Sequence, residues 1–171
     1  DVERSRGLGD VYKRQPEWDR FFADAKVDGS IVVVDARGQA EAVYVHNRDR
    51  AARRYSPAST FKIPHSLFAL DAGLLRDEFQ RIPWDGVKRQ LPAWNADQDL
   101  RSAMRNSTVW VYEGFARELG SAREAAYMRK IDYGNALATG EAPFWVDGDL
   151  AISALEQVAF LQRLYLSLIH I

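Results

Sequence analysis

Cysteine is absent from the chain, so neither a disulfide framework nor thiolate chemistry is available to it. The three histidines, His46, His65 and His170, are scattered without metal-ligand spacing. No metal ion or organic cofactor is expected from them. No apolar run approaches the roughly 18 residues of a membrane span, and no signal-peptide pattern is present. Charge of one sign is not in excess: 23 basic and 24 acidic residues leave a net charge of −1, which gives no reason to expect nucleic acid or an anionic membrane as partner. Repeats and low-complexity segments are also missing. What remains is 47% hydrophobic and 27% charged over 171 residues, enough for one core and therefore for one domain or part of one.

Both ends carry a mark of DNA rather than of a fold. Asp10-Val11-Tyr12-Lys13-Arg14-Gln15 can be encoded by GAT GTG TAT AAG AGA CAG, whose reverse complement encodes Leu166-Ser167-Leu168-Ile169-His170-Ile171. That sequence is similar to a transposon end used in sequencing libraries, and Ser5-Arg6-Gly7-Leu8-Gly9 fits the adapter stretch upstream of it. Residues 1–15 and 166–171 are therefore expected to be adapter-derived tails, with a natural insert at 16–165 taken from a longer protein. Sequencing the source DNA tests this.

Within the insert, Trp18, Phe21 and Phe22 have helical spacing and predict an amphipathic helix over 17–25. A β-branched run over 30–35 predicts a buried strand, 36–39 a hairpin turn, and 41–46 the returning strand. Beyond Ser59 the pattern is helical, at about 59–72, 97–105, 108–119, 121–130 and 149–165. Gly73 stops the first of these and Asp149 caps the last. Two strands followed by many helices read as an α+β fold, with partner strands expected further along the parent chain.

Four short stretches bear chemistry. Ser59-Thr60-Phe61-Lys62 sets a hydroxyl and an amine three residues apart, on one face if a helix opens there, which suits a nucleophile beside its base. Alone it reads first as a helix cap with a solvated lysine, and the downstream stretches reverse that. Ser107-Thr108-Val109 begins a predicted helix, where it offers a second hydroxyl or merely another cap. Tyr133-Gly134-Asn135 puts a phenol and an amide around a turn, and Trp145 in Phe144-Trp145 offers an indole N–H on a large apolar body. His65, three residues past Lys62, reads as structural. Asn95-x-Asp97-x-Asp99 imitates a calcium loop, but Leu100 replaces the required glycine and Asn106 the closing glutamate, so these residues are expected to cap the next helix.

In this order and at these separations the four elements resemble the class D, oxacillinase-type, serine β-lactamases. Trp84-Asp85-Gly86-Val87-Lys88-Arg89, Trp94-Asn95-Ala96-Asp97-Gln98 and Ile152-Ser153-Ala154-Leu155-Glu156-Gln157-Val158 add to the resemblance, which covers residues 16–165. It implies a partial β-lactamase or penicillin-binding transpeptidase fold, with N-terminal strands and the helical region present and C-terminal strands missing. It also implies hydrolysis of a β-lactam substrate through an acyl-enzyme on Ser59, with Lys62 modified by CO2 to a carbamate base and Ser107 relaying the proton. Trp145 and Val109 would stabilise the carbamate, and Tyr133 and Asn135 would belong to the substrate pocket. No partner macromolecule follows beyond a possible homodimer of the parent protein, which would be periplasmic or secreted. The family's Lys-Thr/Ser-Gly strand does not occur, so the 171-residue chain is expected to be inactive although its parent is an enzyme. A β-lactam sensor domain, acylated without turnover, is the alternative, and a catalytically dead relic the third reading.

Overall fold

A computed structural model describes residues 12–13, 16–37, 41–140 and 143–169. The turn expected at 36–39 therefore lies partly outside the described residues, as do His170 and most of the expected N-terminal tail. The described residues divide into two compact units, one drawn from residues up to 55 and from 152 onward, the other from 56 to 151. Among them no helix is long and apolar enough to cross a membrane.

In the first unit, α1 (Pro16–Ala25), β2 (Ile31–Asp35) and β3 (Ala42–His46) follow the expected order, preceded by a short β1 (Tyr12–Lys13) in the expected tail that was not foreseen. β2 and β3 pair antiparallel, with Val32 opposite Val45 and Val34 opposite Val43, so alternate valines share one face. β1 lies parallel on the other edge of β3. The helical spacing of α1 brings the Phe22 ring to stack on His46 at 4.3 Å, while Asp19 Oδ1 sits 2.6 Å from His46 Nδ1. Short α2 (Arg48–Ala52) and the β4 (Arg54–Tyr55) and β5 (Ile152–Ser153) pair carry no strong sequence period and were not expected. Val43, Val45 and Ala51 form the core, joined by Val32, Val34, Ala154 and Leu155.

The helix expected from Asp149 instead begins five residues later, as α6 (Ala154–Ile169). The reason is a better cap: the Glu156 N–H donates to Ser153 Oγ at 3.2 Å while the Ser153 N–H donates to Glu156 Oε2 at 2.9 Å. Such a reciprocal capping box satisfies two helix-end donors at once, where an aspartate alone satisfies one.

In the second unit a 3-10 turn, Ala58–Phe61, runs directly into α3 (Lys62–Asp71), which ends before Gly73 at φ 73°. The expected runs 108–119 and 121–130 meet as α5 (Val109–Lys130), kinked at Gly120, whose φ of 74° and ψ of 153° break the helix. α4 (Leu100–Arg105) is shorter than the expected 97–105 because Asp99 terminates it: Ser102 N–H donates to Asp99 Oδ1 at 2.6 Å and Asp99 N–H to Ser102 Oγ at 2.9 Å. The calcium-like triplet is thus occupied structurally, since Asp97 Oδ1 accepts from the Trp84 N–H and Asn95 Oδ1 from the Arg89 N–H. Asp99→Ala should lower the unfolding free energy of the chain by about 1 kcal/mol in a urea titration. An unchanged midpoint would show that the cap is redundant.

Candidate active site

The 3-10 turn places Ser59 so that it faces solvent, whereas Lys62, one turn on, enters the interior and is 1% exposed. Thr60 fixes the turn from within, its Oγ1 donating to the Pro57 carbonyl at 2.7 Å. From outside, the Trp145 carbonyl accepts from the Ala58 N–H at 2.9 Å and from Ser56 Oγ at 2.7 Å. Ala58 and Ser107 both hold left-handed backbone, at φ 46° and 51°. Non-glycine residues adopt that conformation only when their surroundings impose it, and the two flank the same hydroxyl.

Lys62 Nζ donates to Ser59 Oγ at 3.0 Å, and Ser107 Oγ donates to the same oxygen at 3.0 Å. Ser59, Lys62 and Ser107 are separated by up to 48 positions in the chain and converge on one atom. Burial pushes the Lys62 amine below its ordinary value, because taking an ammonium out of water disfavours the charged form. The Nζ also stands 5.5 Å from the Tyr112 ring centroid. An exposed hydroxyl within hydrogen-bond reach of a desolvated amine is the arrangement an activated serine requires.

Trp145 is 0% exposed, packed between Phe61 at 5.7 Å and Phe144 at 5.1 Å, and its indole Nε1 has no hydrogen-bond partner. A buried donor left unsatisfied costs about 1–3 kcal/mol, so its retention calls for an explanation. Val109 is the first residue of α5 and half-buried, two positions beyond Ser107.

Tyr133 and Asn135, expected in the substrate pocket, are both engaged within the protein. Tyr133 is buried outright, its ring 5.6 Å from that of Phe61. The Asn135 amide donates to the Asp149 carbonyl at 2.7 Å and accepts from the Ala151 N–H at 3.0 Å, closing the loop that carries Trp145. Asp149, expected as a helix cap, closes the same loop, its Oδ2 accepting from Thr139 Oγ1 at 2.6 Å.

Two contributors escaped the sequence reading. Ser66 Oγ donates to the Lys62 carbonyl at 2.7 Å and lies 3.1 Å from the Tyr112 hydroxyl, which ties α3 to α5 behind the lysine. The available signal was spacing, since Ser66 is four residues from Lys62 and Tyr112 three from Val109, one helical turn in each case.

A family model described as the penicillin binding protein transpeptidase domain matches residues 29–167. Beta-lactamase OXA-2 from Salmonella typhimurium is 57% identical over 150 residues, covering 87% of this chain and 54% of that protein. Beta-lactamase OXA-3 from Pseudomonas aeruginosa is 54% identical over 154 residues, 90% of this chain and 56% of that one. Among solved structures, the class D β-lactamase FUS-1 (OXA-85) from Fusobacterium nucleatum subsp. polymorphum superposes with a TM-score of 0.84 at 35% identity, over 91% of this chain and 64% of its own. The chain thus spans a little over half the length of the curated relatives it matches.

Proposed function

The chain belongs to the penicillin-binding transpeptidase family, among its class D β-lactamases, and from that membership we propose that its parent protein hydrolyses β-lactams through an acyl-enzyme on Ser59. The observation that carries the reading is the convergence of Lys62 Nζ and Ser107 Oγ on Ser59 Oγ, each at 3.0 Å. Ser59 Oγ attacks the strained ring carbonyl and passes its proton to the Lys62 side. As the ring C–N bond breaks, Ser107 hands a proton to the departing nitrogen. Water then cleaves the resulting ester and restores the Ser59 hydroxyl.

The residues around Lys62 fit a carbamate formed with CO2: the amine is buried and its pKa lowered, and the Trp145 N–H is buried without a partner. When present, that group supplies an anionic base beside Ser59. Trp145 would hold it by its N–H, and Val109 would keep bulk water away. Tyr133 and Asn135 shape the substrate pocket by fixing the Trp145 loop. Neither a metal nor an organic cofactor enters the reaction. The same reading has the parent work in the periplasm or outside the cell, where its β-lactam substrate arrives, with a homodimer as its possible assembly.

Turnover belongs to the longer protein, and the 171-residue chain alone should leave a chromogenic cephalosporin intact. In the parent, mass spectrometry should find a transient adduct on the Ser59 peptide alongside steady hydrolysis. A permanent adduct without turnover would make the site a receptor, and no adduct would end the reading. Ser107→Ala should lower kcat about a hundredfold or more, the usual contribution of a placed proton donor, with the acyl group still found on Ser59. An unchanged kcat would remove Ser107 from the proton path.

A further inference from the structure

The core of the second unit holds two titratable side chains that the proposed reaction does not use. His65 lies one turn beyond Lys62 on α3, and Glu124 lies on α5 past the Gly120 kink. Both are 0% exposed, with His65 Nε2 2.6 Å from Glu124 Oε1. The two atoms are close without making a well-aligned hydrogen bond, and both ring nitrogens and both carboxylate oxygens are without a hydrogen-bond partner.

Stability does not account for such a pair. A buried ion pair without further hydrogen bonds recovers little of its desolvation cost, and apolar residues of similar volume commonly do as well or better. Its neighbours offer another reason. The His65 ring meets Trp145 edge-on at 5.2 Å and Tyr112 at 5.7 Å. Tyr112 is the ring over which Lys62 Nζ sits, and Trp145 is the donor without a partner. The 2.6 Å contact joins the helix of Lys62 to α5. A carboxylate behind an imidazole fixes the ring's orientation, as it does behind metal-bound histidines.

We infer that His65 and Glu124 are positioning residues of the Lys62 site: the pair holds the imidazole against Trp145 and so keeps the indole in place, so that Lys62 takes up CO2 at lower concentration. The inference rests on the carbamate reading above. Its test follows 13C-bicarbonate uptake by NMR of the carbamate carbon in the 171-residue chain, together with the indole 1H–15N resonance that Trp145→Phe removes. The variant H65F/E124M keeps the volume and discards the polar pair. It should melt at or above the native temperature, shift the Trp145 resonance, and need about tenfold more bicarbonate for half-carbamylation, the low end of what a partner behind a metal ligand contributes.

Native half-saturation with an unmoved indole would reduce the pair to packing and overturn the inference. Should that variant fail to fold, Glu124→Gln alone should raise the requirement in the same direction, and no rise would overturn it equally. A native chain that shows no carbamate carbon would instead remove the carbamate reading, and the inference with it, before any variant is measured.

Discussion

Lys62→Met should stabilise the chain and silence the site in one substitution. Lys62 is 1% exposed, and its amine is held below its ordinary value of 10.5 by burial alone. Methionine fills a similar volume without a charge to desolvate. The gain should be about 1–2 kcal/mol near pH 7 in CO2-free buffer, the range found when a functional site is relieved of an ill-placed group. In the parent protein the same change should lower kcat/KM about a million-fold, the loss seen when a serine hydrolase is deprived of its nucleophile or base.

The pH dependence has a definite sign. Below its native pKa the buried lysine carries its full desolvation penalty. Between that value and 10.5 the unfolded chain binds more protons than the native one, so native stability rises with pH across this window. The advantage of Lys62→Met should therefore be largest at neutral pH and shrink as pH climbs to 10.5. Added bicarbonate should shrink it further, since a ligand taken up by the native state alone stabilises that state. Equal stability of the two chains at every pH would mean that Lys62 is not desolvated in solution.

The approach of Lys62 to Ser59 was legible because it is local: two residues three positions apart need no tertiary information to share a face. The strands 31–35 and 42–46 were legible for the same reason, their valines alternating over a buried face. Asp149 misled because an aspartate before an apolar run is a sound cap signal, yet Ser153 with Glu156 satisfies two donors and outcompetes it. Ser107 could be named from its motif, but its 3.0 Å approach to Ser59 depends on the left-handed turn at φ 51°, which no propensity for serine foretells. Glu124 was invisible. It stands beside a charged neighbour, Arg123, past the Gly120 kink, yet is buried against His65. Its meaning lies across the fold, where sequence period does not reach.

Trp145 should separate packing from chemistry when its two halves are removed in turn. Trp145→Ala removes a fully buried indole from between Phe61, His65 and Phe144 and should cost about 3–5 kcal/mol, the range for large aromatic truncations in a core. The loop's carbonyl contacts to Ser56 and Ala58 are main-chain and survive the substitution only if the loop stays in place, so the Ser59 turn should loosen with it. Trp145→Phe keeps a ring in the cluster and deletes the N–H. That donor has no partner in the unmodified chain, and relieving a buried unsatisfied group offsets about 1–3 kcal/mol of the volume lost. Its unfolding midpoint should stay near the native one, while the parent's kcat falls about a hundred- to a thousandfold, as when a single aimed donor is lost from an active site. Carbamate on Lys62 should fade in step, visible as loss of the 13C signal at bicarbonate levels that saturate the native chain. Full activity in Trp145→Phe would show that the orphan N–H serves no anion, and that the tryptophan is there for its bulk.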